Sequence, residues 1–273
     1  MEYRLNGELV KLDLSGPVEI GSNHCLLDYD DNLVSGCSWD RAGFTVDEFL
    51  SEQELTLLTE GVRRLVMDAL IDAGLAIDEA AFRLEQYHTL CREQRDHLSV
   101  INFLKRRASL RNLPIPPSCL DRKVSQLCGK TVSSDVVSVP ASGFFFIRIV
   151  RPSPFVDNNP PHKDVWLDRL RHAVNLYLPI AGSSENSSLP LVEGSHYWSE
   201  SRITRTSSGA TVNGVSFSVP SVVSVEGGVT MVRPDVGPRQ GMVFSPYLIH
   251  GGAINLEPDL TRVSLEVRFW RKP

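Results

Sequence analysis

The chain has 273 residues, 42% hydrophobic and 22% charged, which is ordinary for a folded globular protein and enough to bury a core. A formal net charge of -5 gives no general attraction to nucleic acid or to anionic membranes, so neither is an expected partner. No apolar run approaches the roughly 18 residues that cross a bilayer. The opening residues 1–14 lack the basic and apolar regions of an export signal, which predicts a cytoplasmic protein. Cys25, Cys37, Cys91, Cys119 and Cys128 form no C-x-x-C pair and are expected as reduced thiols.

In chain order, Asn6-Gly7 between two short alternating runs predicts a hairpin over residues 3–10. The next thirty residues, rich in Gly, Asn, Asp and Ser, read as irregular. Ser51-Glu52-Gln53-Glu54 is a capping box, and Leu55, Leu58, Val62, Leu65, Val66 and Ala69 then recur at helical spacing until Gly74. A second helix is expected over about 80–110, closed by Pro114, Pro116 and Pro117. From about residue 132 the texture becomes that of strands: 135–139, 144–151, 172–180, 214–225, 229–233, 241–249 and 261–270. Short strands at that spacing predict a sandwich or barrel, giving an α+β chain with helices in 1–131 and a β-core in 132–273. No linker divides the two parts, so one domain is expected.

Two histidines stand in chemically informative places. His162-Lys163-Asp164 follows the strand over 144–151, and an H-x-D lets an imidazole and a carboxylate reach one cation. His250 ends the run 241–249. Two histidines and one carboxylate make the facial triad of non-haem Fe(II) oxygenases, with three coordination positions open. The same tripeptide also fits a surface turn without metal. In the last strand, Val263, Leu265, Val267 and Phe269 share one face and Arg262, Ser264, Glu266 and Arg268 the other. That polar face can lie in water. If it lines a barrel, Arg262 and Ser264 could clamp a carboxylate, because a guanidinium fork matches one bidentately.

From Phe44 to Trp270 the order of motifs resembles the phytanoyl-CoA dioxygenase family of Fe(II)/2-oxoglutarate oxygenases. Residues 44–51 are similar to its entry into the first helix, and His162-Lys163-Asp164 to its H-x-D. Residues 189–196 are similar to its G-x-L-x-x-x-P-G-S-H segment, and His250-Gly251-Gly252 to its distal-histidine segment. Arg262-Val263-Ser264 is similar to its R-x-S. Glu193 stands where the family usually has Pro, and two Ser-Ser pairs occupy the preceding loop where a Gly is usual; the resemblance makes that segment the rim of the site.

The resemblance implies a double-stranded β-helix (jelly roll) with helices on one outer face. It implies Fe(II) on His162, Asp164 and His250, with 2-oxoglutarate and O2 as cosubstrates, and Arg262 and Ser264 on the distal carboxylate. Asn175, on the strand 172–180, is a candidate for a further hydrogen bond to 2-oxoglutarate. Because the carboxylate position is Asp, the resemblance argues against a halogenase. Lys163, Trp166, Arg148, Tyr247 and Arg268 are the candidate contacts of a small-molecule substrate. His196 is expected to pack its loop, and His24, His88, His97 and His172 have no partner at ligand spacing. The basic run 104–111 is either a solvated helix face or an anion-binding edge at the active-site mouth. Hydroxylation of a small polar or anionic metabolite is the expected activity. Desaturation, cyclisation or epoxidation by the same chemistry is a second reading, and a jelly-roll binding module without turnover a third.

Overall fold

The computed structural model describes residues 1–135 and 145–272. Strands β1 (Glu2–Leu5), β2 (Glu8–Lys11), β3 (Leu14–Ser15), β4 (Val18–Ile20) and β5 (Phe44–Glu48) precede helix α1 (Glu52–Asp72). Helices α2 (Tyr87–Leu90), α3 (Gln94–Arg107) and α4 (Pro117–Cys128) follow. The β-core then runs through β6 (Val132–Ser133), β7 (Phe145–Val150), β8 (Ala173–Ala181), β9 (Ile203–Thr206) and β10 (Ala210–Val212). It ends with β11 (Val215–Phe217), β12 (Val222–Val225), β13 (Thr230–Met231), β14 (Gln240–Phe244) and β15 (Arg262–Arg271).

The architecture is the expected α+β one: a jelly-roll core of two facing sheets with helices on one outer face. The larger sheet has the order β5-β14-β8-β15, and both β7 and β6 pair antiparallel with β15. The second sheet is assembled from short pieces. β2-β1-β13 and β12-β9-β4 are joined by single bridges in which Val232 pairs with Leu191, Leu191 with His250, and His250 with His162. Val222 N–H donating to the Pro161 carbonyl closes the row at 2.8 Å. Both metal-ligand histidine candidates therefore sit side by side in the middle of this sheet, facing the larger one.

Alternation decides what each face does. Val263, Leu265, Val267 and Phe269 of β15 join Val174, Leu176 and Leu178 of β8 in one apolar cluster with Leu58, Val62 and Val66 of α1 and Val100 and Leu104 of α3. The opposite face of β15 carries Arg262, Ser264, Glu266 and Arg268 and looks into the space between the sheets. It is not the solvated face.

Local expectations hold where the sequence carries a local device. The β1–β2 hairpin turns through Asn6 and Gly7, both at positive φ as a type I′ turn requires. Ser51 caps α1 reciprocally with Glu54, and Gly74 follows its end at φ +79. The expected helix over 80–110 is broken between α2 and α3. Arg151 takes the Cys91 and Arg92 carbonyls at 3.1 and 3.2 Å, so tertiary contacts satisfy the break. The prolines do not only end a helix. Pro117 opens α4, where its missing N–H costs nothing.

The expected strand 214–225 is two strands, β11 and β12, with Pro220 between them, and 241–249 is a strand only to Phe244. β5, β9 and β10 lack a clear sequence signal. Residues 136–139 and Phe144 of two expected strands lie outside the described residues. All five cysteines are free, as expected. Among the described residues no helix is long and apolar enough to cross a membrane.

Candidate metal centre

His162 and His250 occupy facing positions on adjacent extended segments and exchange both backbone hydrogen bonds, at 2.8 and 2.9 Å. This fixes their rings 4.4 Å apart between centroids. Two residues after His162, extended backbone returns Asp164 to the same side. The Asp164 Oδ1 lies 3.4 Å from His162 Nε2 and 3.8 Å from His250 Nε2. The three ligand atoms fall within 4.8 Å of one another, and all three residues are buried.

The surroundings aim these atoms. His162 Nδ1 is 2.7 Å from the Pro160 carbonyl and His250 Nδ1 is 2.9 Å from the Leu248 carbonyl. A carbonyl can only accept, so each Nδ1 carries the proton and each Nε2 lone pair points inward, the tautomer a metal needs. Gly251 is required here. Its φ is +102, and a Cβ would meet the Pro160 carbonyl oxygen at 2.6 Å and His162 Nδ1 at 3.0 Å.

Asp164 Oδ2 accepts from Asn175 Nδ2 at 2.9 Å and from Arg268 Nη2 at 2.9 Å, which leaves Oδ1 for a cation. Burial opposes ionisation of Asp164, but Arg268 and the two histidines hold its carboxyl well below the usual range. Burial, reinforced by His162, lowers His250 to about 4, so this imidazole is neutral and free to ligate. A neutral-nitrogen pair and one carboxylate oxygen on one side of a cavity form a donor set able to hold a divalent metal.

Beside the triad lies a small cavity lined by His162, His250, Arg148, Arg262 and Glu266. Arg262 is 2% exposed and donates through Nη1 to the Ser187 carbonyl at 2.5 Å. Its Nε and the Ser264 Oγ are buried with no hydrogen-bond partner among the described residues. A buried donor without an acceptor is costly, and an acceptor placed between these two neighbours would relieve that cost.

The sequence-predicted residues divide accordingly. The structure brings together His162, Asp164, His250, Arg262, Ser264, Asn175, Arg148 and Arg268 between the sheets. Asn175 turns its amide to Asp164, so one of its two N–H bonds holds the candidate ligand carboxylate. Arg268 likewise is spent on Asp164 and, at 3.3 Å, on Glu266, and not on a substrate.

Three substrate candidates have their polar groups engaged by other parts of the chain. Lys163 points away from its two neighbours, as alternation requires, into a buried ion pair with Glu200 at 2.7 Å. Trp166 donates to the other Glu200 oxygen at 2.8 Å. The buried Tyr247 hydroxyl donates to the Arg171 carbonyl at 3.0 Å. His196 packs its loop, as expected, with Nε2 2.7 Å from the Asp40 carbonyl. Asp157 and Asn159, which also line the cavity, carry no sequence signal that would have found them.

No family model and no curated protein matches the chain. Among solved structures it is similar to EctD from S. alaskensis with 2-oxoglutarate and 5-hydroxyectoine, at 15% identity over 95% of this chain and 84% of that one, with a TM-score of 0.47. It is similar to AviO1 from Streptomyces viridochromogenes Tue57, at 18% identity over 90% of this chain and 98% of that one, with a TM-score of 0.49. The non-heme alpha ketoglutarate dependent epimerase SnoN from nogalamycin biosynthesis is similar at 11% identity over 86% and 82%, with a TM-score of 0.47. The chemistry of the centre is therefore read from its own residues: a buried His-Asp-His set able to hold a metal, beside an unsatisfied arginine and serine.

Proposed function

We propose that this chain is an Fe(II)- and 2-oxoglutarate-dependent oxygenase that hydroxylates a C–H bond of a small polar or anionic metabolite and releases succinate and CO2. One domain over residues 1–273 would carry the activity, with 1–131 supplying the helical layer and 132–273 the jelly roll. The observation that carries the reading is the buried cluster of two Nε2 atoms and a carboxylate oxygen left free by its neighbours, whose two histidines line one cavity with Arg262.

His162, Asp164 and His250 would hold the iron, and their three-ligand arrangement leaves room for a chelating cosubstrate and O2. When bound, iron would bring O2 and 2-oxoglutarate together, with O2 as the oxidant and 2-oxoglutarate giving up two electrons as it is decarboxylated to succinate. The chain supplies the rest. The Pro160 and Leu248 carbonyls keep both imidazoles in the ligating tautomer, while Asn175 and Arg268 stop Asp164 from rotating. Arg262 and Ser264 would receive the distal carboxylate, whose charge their unsatisfied donors call for. Burial of all these groups excludes water from the centre.

Incubation with Fe(II) and 2-oxoglutarate tests the reading. Succinate should form in the parent protein, and His162→Ala, Asp164→Ala and His250→Ala should each abolish it while circular dichroism stays native. Losing one of three ligands should lower iron affinity well beyond the roughly 10–100-fold typical of an outer-shell change. Stoichiometric Fe(II) binding by any of the three variants would remove that residue from the centre.

A further inference from the structure

We propose that the substrate is an amphipathic organic anion, seated in the cavity between α3, β7 and β11 with its charged group on Arg148 and Lys105. The proposal deepens the oxygenase reading and rests on it.

The cavity measures about 190 Å³ and opens to solvent. It meets the metal-side cavity along one shared wall, since Arg148, Asp157 and Asn159 line both. A molecule in it therefore lies next to the metal centre without passing through the core. One side is apolar: Leu98 and Ile101 of α3, Phe145 of β7 and Phe217 of β11. Leu98 is 50% exposed at this mouth, an apolar surface that a ligand's carbon skeleton would cover.

The polar side carries the charge argument. The only acid lining this cavity is Asp157, and both of its oxygens are taken by Arg151 at 2.8 Å. Arg148 gives Nε to Glu266 at 3.0 Å, and among the described residues its two Nη groups have no acceptor. In the sheet Arg148 stands directly opposite Ser264, so its side chain is on the inner face. Lys105, at the exposed end of α3, has no ion-pair partner among the described residues and lines the same cavity. Of the basic run 104–111, only Leu104, Lys105 and Ala108 reach the cavity. Two cations, one with a free planar edge, thus face an apolar slot whose single carboxylate is already neutralised. Carboxylate, phosphate and sulfate share the chemistry that such a pair recognises.

The test uses protein loaded anaerobically with Fe(II) and 2-oxoglutarate and titrated calorimetrically with matched probes: 4-phenylbutyrate, its neutral amide, and phenyl phosphate. The parent should bind an anion at least tenfold more tightly than the amide. Whichever of carboxylate and phosphate binds more tightly identifies the anion source. In Arg148→Gln the preference over the amide should vanish, and in Lys105→Gln it should fall about threefold and lose part of its salt dependence. The affinity for 2-oxoglutarate should stay at the parent value in Lys105→Gln. Equal binding of anion and amide by the parent overturns the proposal, as does a preference that survives both substitutions. A loss of 2-oxoglutarate binding in Arg148→Gln would assign Arg148 to the cosubstrate and also overturn it. A parent that shows the preference but takes up no 2-oxoglutarate would instead overturn the oxygenase reading.

Discussion

Two buried polar clusters, one on each side of β7, differ in a single respect. Under the helices, Arg151 binds Asp157 bidentately and takes two backbone carbonyls, and His97 Nδ1 lies 3.0 Å from the Tyr87 hydroxyl, which in turn donates to Cys91 Sγ at 3.1 Å. None of these side chains has an unpaired buried atom. Between the sheets, a chain runs from the buried Asp164 and Arg268 through Glu266 to the partly exposed Arg148, and among the described residues Arg262 Nε, Ser264 Oγ, Asn175 Oδ1 and Arg268 Nε lack partners. A closed network has done its work when the chain folds. An open one leaves donors and an acceptor unsatisfied, at a cost in stability that a bound group would relieve.

This contrast gives opposite signs for arginine replacements, beginning with the largest effect. Arg151→Met strands the Asp157 carboxylate in the core and should cost about 3–5 kcal/mol in urea unfolding, the range for a broken buried pair. Iron affinity should not change. A loss below 1 kcal/mol would show that the closed network is not a structural element.

A pH series sharpens the same point. Burial lowers His97 from 6.5 to about 4, outweighing the nearby Asp157 carboxylate. The unfolded chain therefore takes the proton first as pH falls. The stability contributed by neutral His97 is complete above about pH 6.5 and is lost progressively down to about pH 4, up to about 3 kcal/mol. His97→Asn should flatten the unfolding free energy across that window. An unchanged slope would mean that other groups set the acid response.

In the open cluster, Arg262→Leu should leave stability equal or slightly raised, because the charge it removes is unpaired. Arg262→Lys, which keeps the charge but not the fork, should weaken 2-oxoglutarate by about 1–3 kcal/mol, and Arg262→Leu by more. Fe(II) titrations should match the parent in both. If Arg262→Leu binds 2-oxoglutarate normally, the anion belongs elsewhere in the cavity.

The smallest effect is expected at Asn175. Asn175→Ala frees one lone pair of Asp164 Oδ2 while Arg268 still holds the other, so iron affinity should fall about 10-fold, the lower end for a second-layer partner. Isothermal titration with Fe(II) checks it, and an unchanged affinity would show that Arg268 alone orients the carboxylate.

How much of this was legible before folding depends on the range over which each residue acts. The capping box at Ser51, the Asn6-Gly7 turn and the strict alternation of residues 262–270 are local devices, and the chain alone determines them through backbone geometry. The H-x-D, His250 and Arg262-Val263-Ser264 were readable for the same reason: each is a short pattern on extended backbone. Their convergence was implied by the family resemblance and not by the local patterns, since it depends on His162 and His250 pairing across 88 positions of chain. The partners of Asn175, Lys163, Trp166, Tyr247 and Arg268 were likewise decided only by which polar atom each meets in the fold. Composition determines that a side chain must find a partner in the interior. Tertiary structure decides which partner it finds and which donors it leaves unpaired, because that depends on distances between segments the sequence does not contain.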